Sequence, residues 1–321
     1  MFINKRFNYY EGKIDAKLKQ YMPIYGGEKR ITCGRENPDK TFLVIRRNDR
    51  CGLGSYIVTN IRYIDRAIKN KLIPVIDMKN YDNAYHINST IGKKNIWEYY
   101  FEQPYKNYGL DEVYTSQNVC LTDIRILPSR EEEPDFTMEF LGNIKAISHF
   151  RKIAHDYIRL NEETSILINN QYKKIICDGD YVLGVVLRGT DYTWSRPKNH
   201  PIQPSVEEIV RKCKEVMKER ECNKIFLATE DRNIFDAFIN EFGAKCVTND
   251  KKFVNYVGGG INGYTFDRPN DGYLRGLEYL TTMSILAKCD CLVAGRCGAS
   301  VVATIMSEKF DYSYYYDLGV Y

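Results

Sequence analysis

The segment GVVLRGTDY places Arg188, Gly189 and Asp191 directly after a run of apolar, strand-forming residues. Open α/β sheets bind ligands at the edge where parallel strands end. An arginine there can hold phosphate oxygens through its forked guanidinium and can neutralise a departing diphosphate. The same spacing fits a structural ion pair between Arg188 and Asp191 equally well. Arg188 is therefore the first candidate for binding an anionic donor, with Gly189 beside it.

A second segment, VAGRCGAS, runs from an apolar strand through Gly295 into the predicted start of a helix at Gly298, Ala299 and Ser300. Small residues at a helix start let backbone amides approach an anion, and the helix dipole favours negative charge there. A short glycine-rich turn is also common where the chain only changes direction and binds no ligand. Together with Arg188, this turn predicts a diphosphate site.

Charged residues of two other segments supply further candidates for donor binding. Glu230 and Asp231 end the strand-like segment IFLATED, where Asp231 is suited to cap the helix predicted to begin at Arg232. Arg275 and Glu278 lie three residues apart, on one face of another predicted helix. That spacing alone is typical of a solvated ion pair.

In the first half of the chain, RRNDRCGLGS follows a predicted strand and supplies Asn48 and Asp49, with Gly52 and Gly54 leaving the backbone open to a ligand. The glycines do not form the G-x-G-x-x-G pattern of a dinucleotide site, which disfavours a dehydrogenase. If the diphosphate belongs to a nucleotide sugar, the hydroxyl group that accepts the sugar needs a general base to remove its proton. Asp49 and Asp191 are the candidates for that base.

Alternating strands and helices must position these residues. In the first half, a strand at 41–47, a helix at 55–70 and the strand KLIPVID form a βαβ unit, which implies a parallel sheet. In the second half, strands are predicted at 181–189, 224–230, 244–247, 290–295 and 310–316, and helices at 204–220, 231–242 and 272–288. His200 lies in a loop before a proline. Its side chain could serve in packing or in turn formation, or it could take part in acceptor binding or proton transfer.

At 321 residues the chain is long enough for two domains. We expect an N-terminal α/β domain on the acceptor side at 1–165 and a Rossmann-like nucleotide-sugar-binding domain at 166–321. The predicted fold class is α/β, with parallel sheets facing across a cleft where ligands would bind.

Composition narrows the classes of protein. A net charge of +4 from 46 basic and 42 acidic residues is too balanced for a dedicated nucleic-acid binder. It permits peripheral contact with an anionic membrane surface. No signal-peptide core and no long apolar run are present, so a cytoplasmic location is expected. The ten cysteines lie largely in apolar runs without a CxxC pair, which predicts reduced thiols and disfavours zinc.

Taken in order, GVVLRGTD, HPI, IFLATED, LRG and AKCDCLVAGRCGAS resemble the fucosyltransferases that attach core α1,6-fucose, their bacterial chitin-oligosaccharide counterparts and the broader protein O-fucosyltransferase-like group. The resemblance implies a GT-B arrangement of two Rossmann-like domains, GDP-fucose as donor, an inverting displacement and no required metal. It places Arg188 on the family arginine that binds the donor diphosphate and Asp191 on the motif's aspartate.

The chain also departs from the family pattern. Gly298 and Ala299 stand where the family has a serine and a glutamine that meet the β-phosphate, so backbone amides would replace those side chains. Thr282 stands where the family has the carboxylate that recognises guanine, and Glu278 lies one turn earlier on the same helix face. Arg196 stands where the family has a proposed glutamate base.

We therefore predict a metal-independent glycosyltransferase that moves fucose from GDP-fucose to a glycan hydroxyl. Because Thr282 replaces the carboxylate that recognises guanine, a transferase with a different nucleotide-sugar donor is one alternative. Because Arg196 replaces the proposed base, a non-catalytic relative that binds sugar nucleotides or glycans is another. CGLGS and the run from NKLIPVIDMKN to NIWEYYFEQP look like bacterial glycosyltransferases of polysaccharide gene clusters. The expected acceptors are a lipid-linked oligosaccharide, a capsular or lipopolysaccharide chain, or a protein.

Overall fold

A computed structural model describes residues 28–47, 49–86, 93–124, 130, 132–255 and 264–321. These residues divide into two compact units. The first contains the described residues before 125 together with 152–164 and 268–274, and the second contains 130–151, 165–267 and 275–321. Asn48, predicted to lie on the acceptor side, falls outside the described residues.

The first unit is built on a four-stranded sheet in the order β1-β4-β2-β3. Its strands are β1 (Lys29–Ile31), β2 (Glu36–Arg46), β3 (Ile73–Asp77) and β4 (Ser116–Leu121). Strand β2 runs parallel to both β3 and β4, so that Val44 pairs with Val75 on one side and Leu121 on the other. Strand β1 runs antiparallel to β4. The parallel pairing of β2 and β3 confirms the predicted βαβ unit.

Helix α1 (Leu53–Lys69) connects β2 to β3, and the short helix α2 (Leu110–Thr115) precedes β4. Gly52 is the N-cap of α1 and its carbonyl accepts the Ser55 amide at 2.9 Å. Gly54 is buried in the first turn. The α1 sequence alternates apolar and polar residues with a helical period, which buries one face of the helix and leaves the other polar.

Strand β3 stands last in the sheet order, and two side-chain amides occupy the hydrogen-bonding groups of its Ile76. Gln103 Oε1 accepts the Ile76 amide at 2.9 Å, and the Ile76 carbonyl accepts Asn95 Nδ2 at 2.8 Å and Gln103 Nε2 at 3.0 Å. Glu98 Oε1 in turn accepts from both amides. Asn95 and Gln103 thus make the contacts that a neighbouring strand would make.

The second unit contains a five-stranded, fully parallel sheet in the order β7-β6-β5-β8-β9. Its strands are β5 (Val182–Val186), β6 (Lys224–Ala228), β7 (Cys246–Val247), β8 (Cys291–Gly295) and β9 (Tyr312–Tyr316). The remaining helices of the described chain are α3 (Met138–Leu141), α4 (Ile144–Tyr157), α5 (Glu162–Ile175), α6 (Thr190–Trp194), α7 (Val206–Glu219), α8 (Arg232–Phe242), α9 (Asp271–Leu286) and α10 (Gly298–Met306).

The three central strands β5, β6 and β8 are almost wholly buried. Strands buried on both faces have continuous apolar sequences, and that pattern made these three predictable. Two α/β units, one with a mixed sheet and one with a fully parallel sheet, confirm the predicted α/β fold class.

Three further elements were not among those predicted above. The chain after residue 136 forms two helices, α3 and α4, which are separated at Gly142. The segment NIWEYYFEQP contains a single 3₁₀ turn, Trp97–Tyr99. Strand β4 was not predicted because its sequence, SQNVCL, is half polar.

All ten cysteines are free thiols, as predicted. Across the described ranges, no helix combines the length and apolar character needed to cross a membrane. The same ranges hold no group of three or more His, Cys, Asp or Glu side chains that could hold a metal ion.

Candidate functional site

Arg188 lies two residues beyond β5, the central strand of the second sheet. Two carboxylates hold its guanidinium: Nε donates to Glu230 Oε1 at 2.9 Å, and Nη2 donates to Asp191 Oδ1 at 2.7 Å. Burial alone would lower the pKa of Arg188, but Glu230 and Asp191 raise it. The ion pair that the sequence spacing allowed is therefore present, with Glu230 as a second partner.

The guanidinium of Arg188 also keeps a solvent-accessible edge. The side chain is 21% exposed, and Nη1 donates to none of the residues that the structure describes. Its Cζ lies 4.7 Å from the centroid of the Tyr192 ring. The ion pairs and the ring contact fix the plane of the guanidinium, which leaves Nη1 available to an anion.

Thr190 is fully buried and has a φ of 44°. β-Branched residues seldom adopt this left-handed region. Its Oγ1 donates to Glu230 Oε1 at 2.9 Å and its amide donates to Asp231 Oδ2 at 3.2 Å. A Cβ on Gly189 would come within 2.3 Å of the Asp231 carboxylate. The acidic end of β6 thus fixes the strained turn that carries Arg188.

Asp231 caps α8, as predicted. Its Oδ1 accepts the amides of Asn233 at 2.8 Å and Ile234 at 3.4 Å. The other oxygen accepts from Thr190. Because both oxygens are engaged, Asp231 joins the turn after β5 to the helix after β6.

The turn after β8 brings backbone amides close to this cluster. Gly298 and Ala299 are half exposed, and a Cβ on Gly298 would meet no atom within 4 Å. Arg188 interacts electrostatically with Cys297, the N-cap of α10. Ser300 Oγ is fully buried, donating to the Cys297 carbonyl at 2.8 Å and accepting its amide at 3.0 Å. The backbone, rather than the Ser300 hydroxyl, is what this turn offers an anion.

Gln203, which was not predicted, bridges the ends of β5 and β8. Its Oε1 accepts the Arg188 amide at 3.4 Å, and its Nε2 donates to the Arg296 carbonyl at 2.9 Å. A Cβ on Gly295 would come within 2.2 Å of Gln203 Oε1, so the bridge requires glycine there. No motif marks Gln203 in the sequence, because its role depends on two strands that are distant along the chain.

His200 packs against aromatic rings near Arg188. Its ring centroid lies 5.5 Å from that of Tyr192, which Arg188 contacts, and 5.8 Å from that of Phe136. These contacts make His200 a support for Tyr192. Arg196, by contrast, is exposed on the surface.

Helix α9 carries Arg275, Glu278 and Thr282, of which the first two are half-buried. Thr282 is 5% exposed, and its Oγ1 lies 2.7 Å from Asn249 Oδ1 and 2.8 Å from the Glu278 carbonyl. Asn249 Nδ2 donates to the same carbonyl at 3.1 Å. The Thr282 hydroxyl therefore anchors the chain after β7 to α9, and Glu278 is the α9 candidate for contact with a nucleobase.

In the first unit, Asp49 is held by Arg47. Arg47 Nη2 and Nε donate to Asp49 Oδ2 at 2.6 and 3.2 Å. Burial would raise the pKa of Asp49, but Arg47 and Cys51 lower it overall. The Arg47 side chain is 1% exposed and also donates to the Ser55 carbonyl and Thr59 Oγ1. Arg47, which was not predicted, is a buried structural partner of the candidate base.

The first unit also contains an open pocket of about 750 Å³. Its lining includes Lys79, Lys94, Glu98, Gln103 and Tyr108. The volume lies within the range of small-molecule sites, and the polar lining suits a hydroxylated ligand.

No protein-family model matches the chain, and a search of curated proteins finds no match. Solved structures of fucosyltransferases match the chain. NodZ α-1,6-fucosyltransferase from Bradyrhizobium, soaked with GDP-fucose, is 16% identical, with 84% of this chain and 93% of that chain covered and a TM-score of 0.48.

POFUT1 in complex with GDP is 11% identical, with coverages of 87% and 98% and a TM-score of 0.46. A variant of Arabidopsis thaliana FUT1 in complex with GDP is 8% identical, with coverages of 88% and 72% and a TM-score of 0.48.

Proposed function

We propose that this protein is a glycosyltransferase that takes its sugar from a nucleoside-diphosphate donor, with GDP-fucose as that donor. The observation that carries the proposal is the setting of Arg188. A charged guanidinium stands just beyond the central strand of a parallel sheet, fixed by Glu230 and Asp191, and its Nη1 donates to none of the described residues. A fixed cation at this position stabilises the negative charge that develops on a departing diphosphate.

The first turn of α10 supports the same assignment. Gly298 leaves open space beside its backbone, and Cys297 places the start of α10 within electrostatic reach of Arg188. Amides at a helix start and an arginine fork are complementary ways of binding phosphate oxygens. In this proposal Arg188 and the backbone of Gly298 and Ala299 hold the diphosphate.

Two carboxylates are candidates for the acceptor's general base. Inverting displacement requires the base to act on the face of the sugar opposite the leaving group. Asp191 is bonded to the guanidinium that would hold the leaving group, which favours a positioning role. Asp49 of the first unit is the other candidate, and transfer that survives Asp191→Asn but ceases in Asp49→Asn, with donor binding unchanged, would identify Asp49 as the base.

The choice of GDP-fucose rests on the sequence resemblance and on Glu278 as the nucleobase contact. The pocket of about 750 Å³ in the first unit is the candidate acceptor site, for a glycan or a lipid-linked oligosaccharide. In this proposal side chains and backbone amides of the chain, with Arg188 first among them, stabilise the charge of the diphosphate, without a metal or other cofactor.

Thermal unfolding in the presence of GDP, UDP, ADP or CMP tests the donor. We expect GDP to raise the melting temperature most, because a ligand that binds only the folded state stabilises it. Greater stabilisation by another nucleotide would exclude GDP-fucose and leave the glycosyltransferase standing. Stabilisation by none of the four would contradict the proposed function.

A non-catalytic relative is the second candidate, favoured by Arg196 at the position of the family's proposed base. Hydrolysis of GDP-fucose separates the two candidates. A glycosyltransferase slowly transfers its sugar to water, so release of GDP and free fucose that ceases in Asp49→Asn supports the enzyme. Binding of GDP-fucose with no release would support the binding protein.

A further inference from the structure

We propose that Lys251 is a further donor-binding residue, which supplies a second positive charge to the diphosphate of the nucleotide sugar. This inference rests on the proposed function and assigns a new residue to the same site.

The position of Lys251 is fixed from both sides by the elements that form the site. Before it, the Asn249 side chain is bonded to the Glu278 carbonyl and to Thr282 of α9. After it, the Val254 amide donates to the Glu230 carbonyl at 2.8 Å, and the Val254 carbonyl accepts the Arg232 amide at 3.2 Å. The chain from Asn249 to Val254 therefore runs between α9 and the end of β6.

The two anchoring elements also supply the carboxylates that face Lys251. Glu230 and Glu278 both interact with it electrostatically. Glu230 is the carboxylate that holds Arg188 at the proposed diphosphate end. Glu278 is the proposed contact for the nucleobase. The backbone at Lys251 thus runs between the elements that carry Glu230 and Glu278, the residues assigned to the two ends of the nucleotide.

The charge of the cluster explains why a second cation is needed. Arg188 is bonded to two carboxylates, Asp191 and Glu230, so these three side chains already carry a net negative charge. A diphosphate adds further negative charge to a partly desolvated place, which is unfavourable without compensation. Lys251 brings a second positive charge among the carboxylates Glu230 and Glu278, so a phosphate oxygen has a second cation to contact there.

The ammonium group of Lys251 is suited to respond to an anion. Burial lowers the pKa of Lys251 to about 8, although Glu230 and Glu278 raise it. Its Nζ also lies 5.3 Å from the centroid of the Phe253 ring. A bound diphosphate favours the protonated form, so binding and full protonation of Lys251 would support each other.

Calorimetric titration of Lys251→Met with GDP and with GMP tests the inference. We expect the Kd for GDP to rise about 10- to 100-fold, because a charge-assisted contact to phosphate is lost. The Kd for GMP should rise less. Lys252→Met is the matched control, since it removes the same charge from an exposed neighbour and should leave both affinities unchanged. Lys251→Arg should restore most of the GDP affinity.

A measurement on the unaltered protein covers the case in which Lys251→Met does not fold. Trinitrobenzene sulfonate modifies uncharged lysine amines, and mass spectrometry follows the two lysines separately. We expect GDP to slow modification of Lys251 at least about 10-fold relative to Lys252, and guanosine to give little protection.

The outcomes separate the inference from the proposed function. Equal GDP affinity in the Lys251→Met and Lys252→Met variants, or equal labelling of Lys251 with and without GDP, would overturn the role of Lys251 and leave the glycosyltransferase intact. A wild-type protein that binds no nucleoside diphosphate would overturn both.

Discussion

Arg47 and Arg188 each stand just beyond a central parallel strand, one in each unit, and each is paired with an aspartate a few residues later. Their surroundings differ. Arg47 is 1% exposed and bonded to Asp49, the Ser55 carbonyl and Thr59. Arg188 is 21% exposed, and its Nη1 donates to nothing within the described chain.

The difference shows how burial separates a structural arginine from a ligand-binding one. A guanidinium whose hydrogen bonds are filled by its own fold cannot accept an anion without losing them. A guanidinium that is oriented by two carboxylates and still meets solvent can bind an anion at little cost. We therefore expect removal of Arg47 to affect folding and removal of Arg188 to affect transfer.

The largest effect is expected from Arg188→Met. Its kcat/KM for fucosyl transfer should fall about 1000-fold, which corresponds to about 4 kcal/mol, because the cation that stabilises the departing diphosphate is lost. The free energy of unfolding should fall by about 1 to 2 kcal/mol, less than for Arg47→Met, because the two carboxylates left behind are each 21% exposed and water can reach them. Steady-state kinetics and urea denaturation give the two values.

The matched control for this variant is Arg211→Met, which removes an exposed guanidinium from α7. It should preserve both activity and stability. Full activity in Arg188→Met, or an equal loss in Arg211→Met, would remove the basis for assigning Arg188 to the donor.

Arg47→Met tests the other side of the comparison. We expect the free energy of unfolding of the first unit to fall by about 3 kcal/mol, because breaking a buried ion pair leaves its partners unsatisfied. Fluorescence of the fully buried Trp97 in urea reports on this unit, since Trp194 is already 73% exposed. Arg50→Met is the control, because Arg50 is 57% exposed. A stable Arg47→Met variant with weakened donor binding would reverse the roles we give to Arg47 and Arg188.

The smallest effect concerns acid stability and Asp49. Burial opposes a low pKa for Asp49, but Arg47 and Cys51 lower it below the ordinary value. A carboxylate with a lowered pKa stabilises the fold at pH values above its unfolded-state pKa, which is about 3.9, and this stabilisation disappears as pH falls through the lower folded-state pKa.

We therefore expect wild type to exceed Asp49→Asn in unfolding free energy at pH 7 by about 1 kcal/mol, and this difference to shrink as the pH falls through the folded-state pKa of Asp49. Denaturation by urea at several pH values measures it. Asp39→Asn, at a carboxylate that is 73% exposed, should match wild type throughout. A difference that grows as the solution is acidified would contradict the lowered pKa.

The predictable parts of this molecule are those that depend on neighbours along the chain. Apolar runs marked β5, β6 and β8, and Asp231 was identified as a cap from its place before α8. The ion pair of Arg188 with Asp191 followed from their separation of three residues.

The parts that escaped prediction depend on segments brought together by folding. Gln203, which bonds to the ends of two strands, was not predicted. Glu230 was a candidate for donor binding, but its contacts with three donors from the turn after β5 were not predicted. The Thr282 hydroxyl, at the position where the family recognises guanine, bonds to Asn249, which lies 33 residues earlier. No local pattern encodes such pairings.

The side-chain amides of Asn95 and Gln103 bond to the open edge of β3, the last strand of the first sheet, and this affects self-association. An open strand edge is a template on which another chain can pair and begin aggregation. Because Ile76 already has its hydrogen bonds filled by these two side chains, a second strand could bind there only by displacing them. Two buried amides thereby keep a sheet that ends in an apolar strand from growing beyond its own chain.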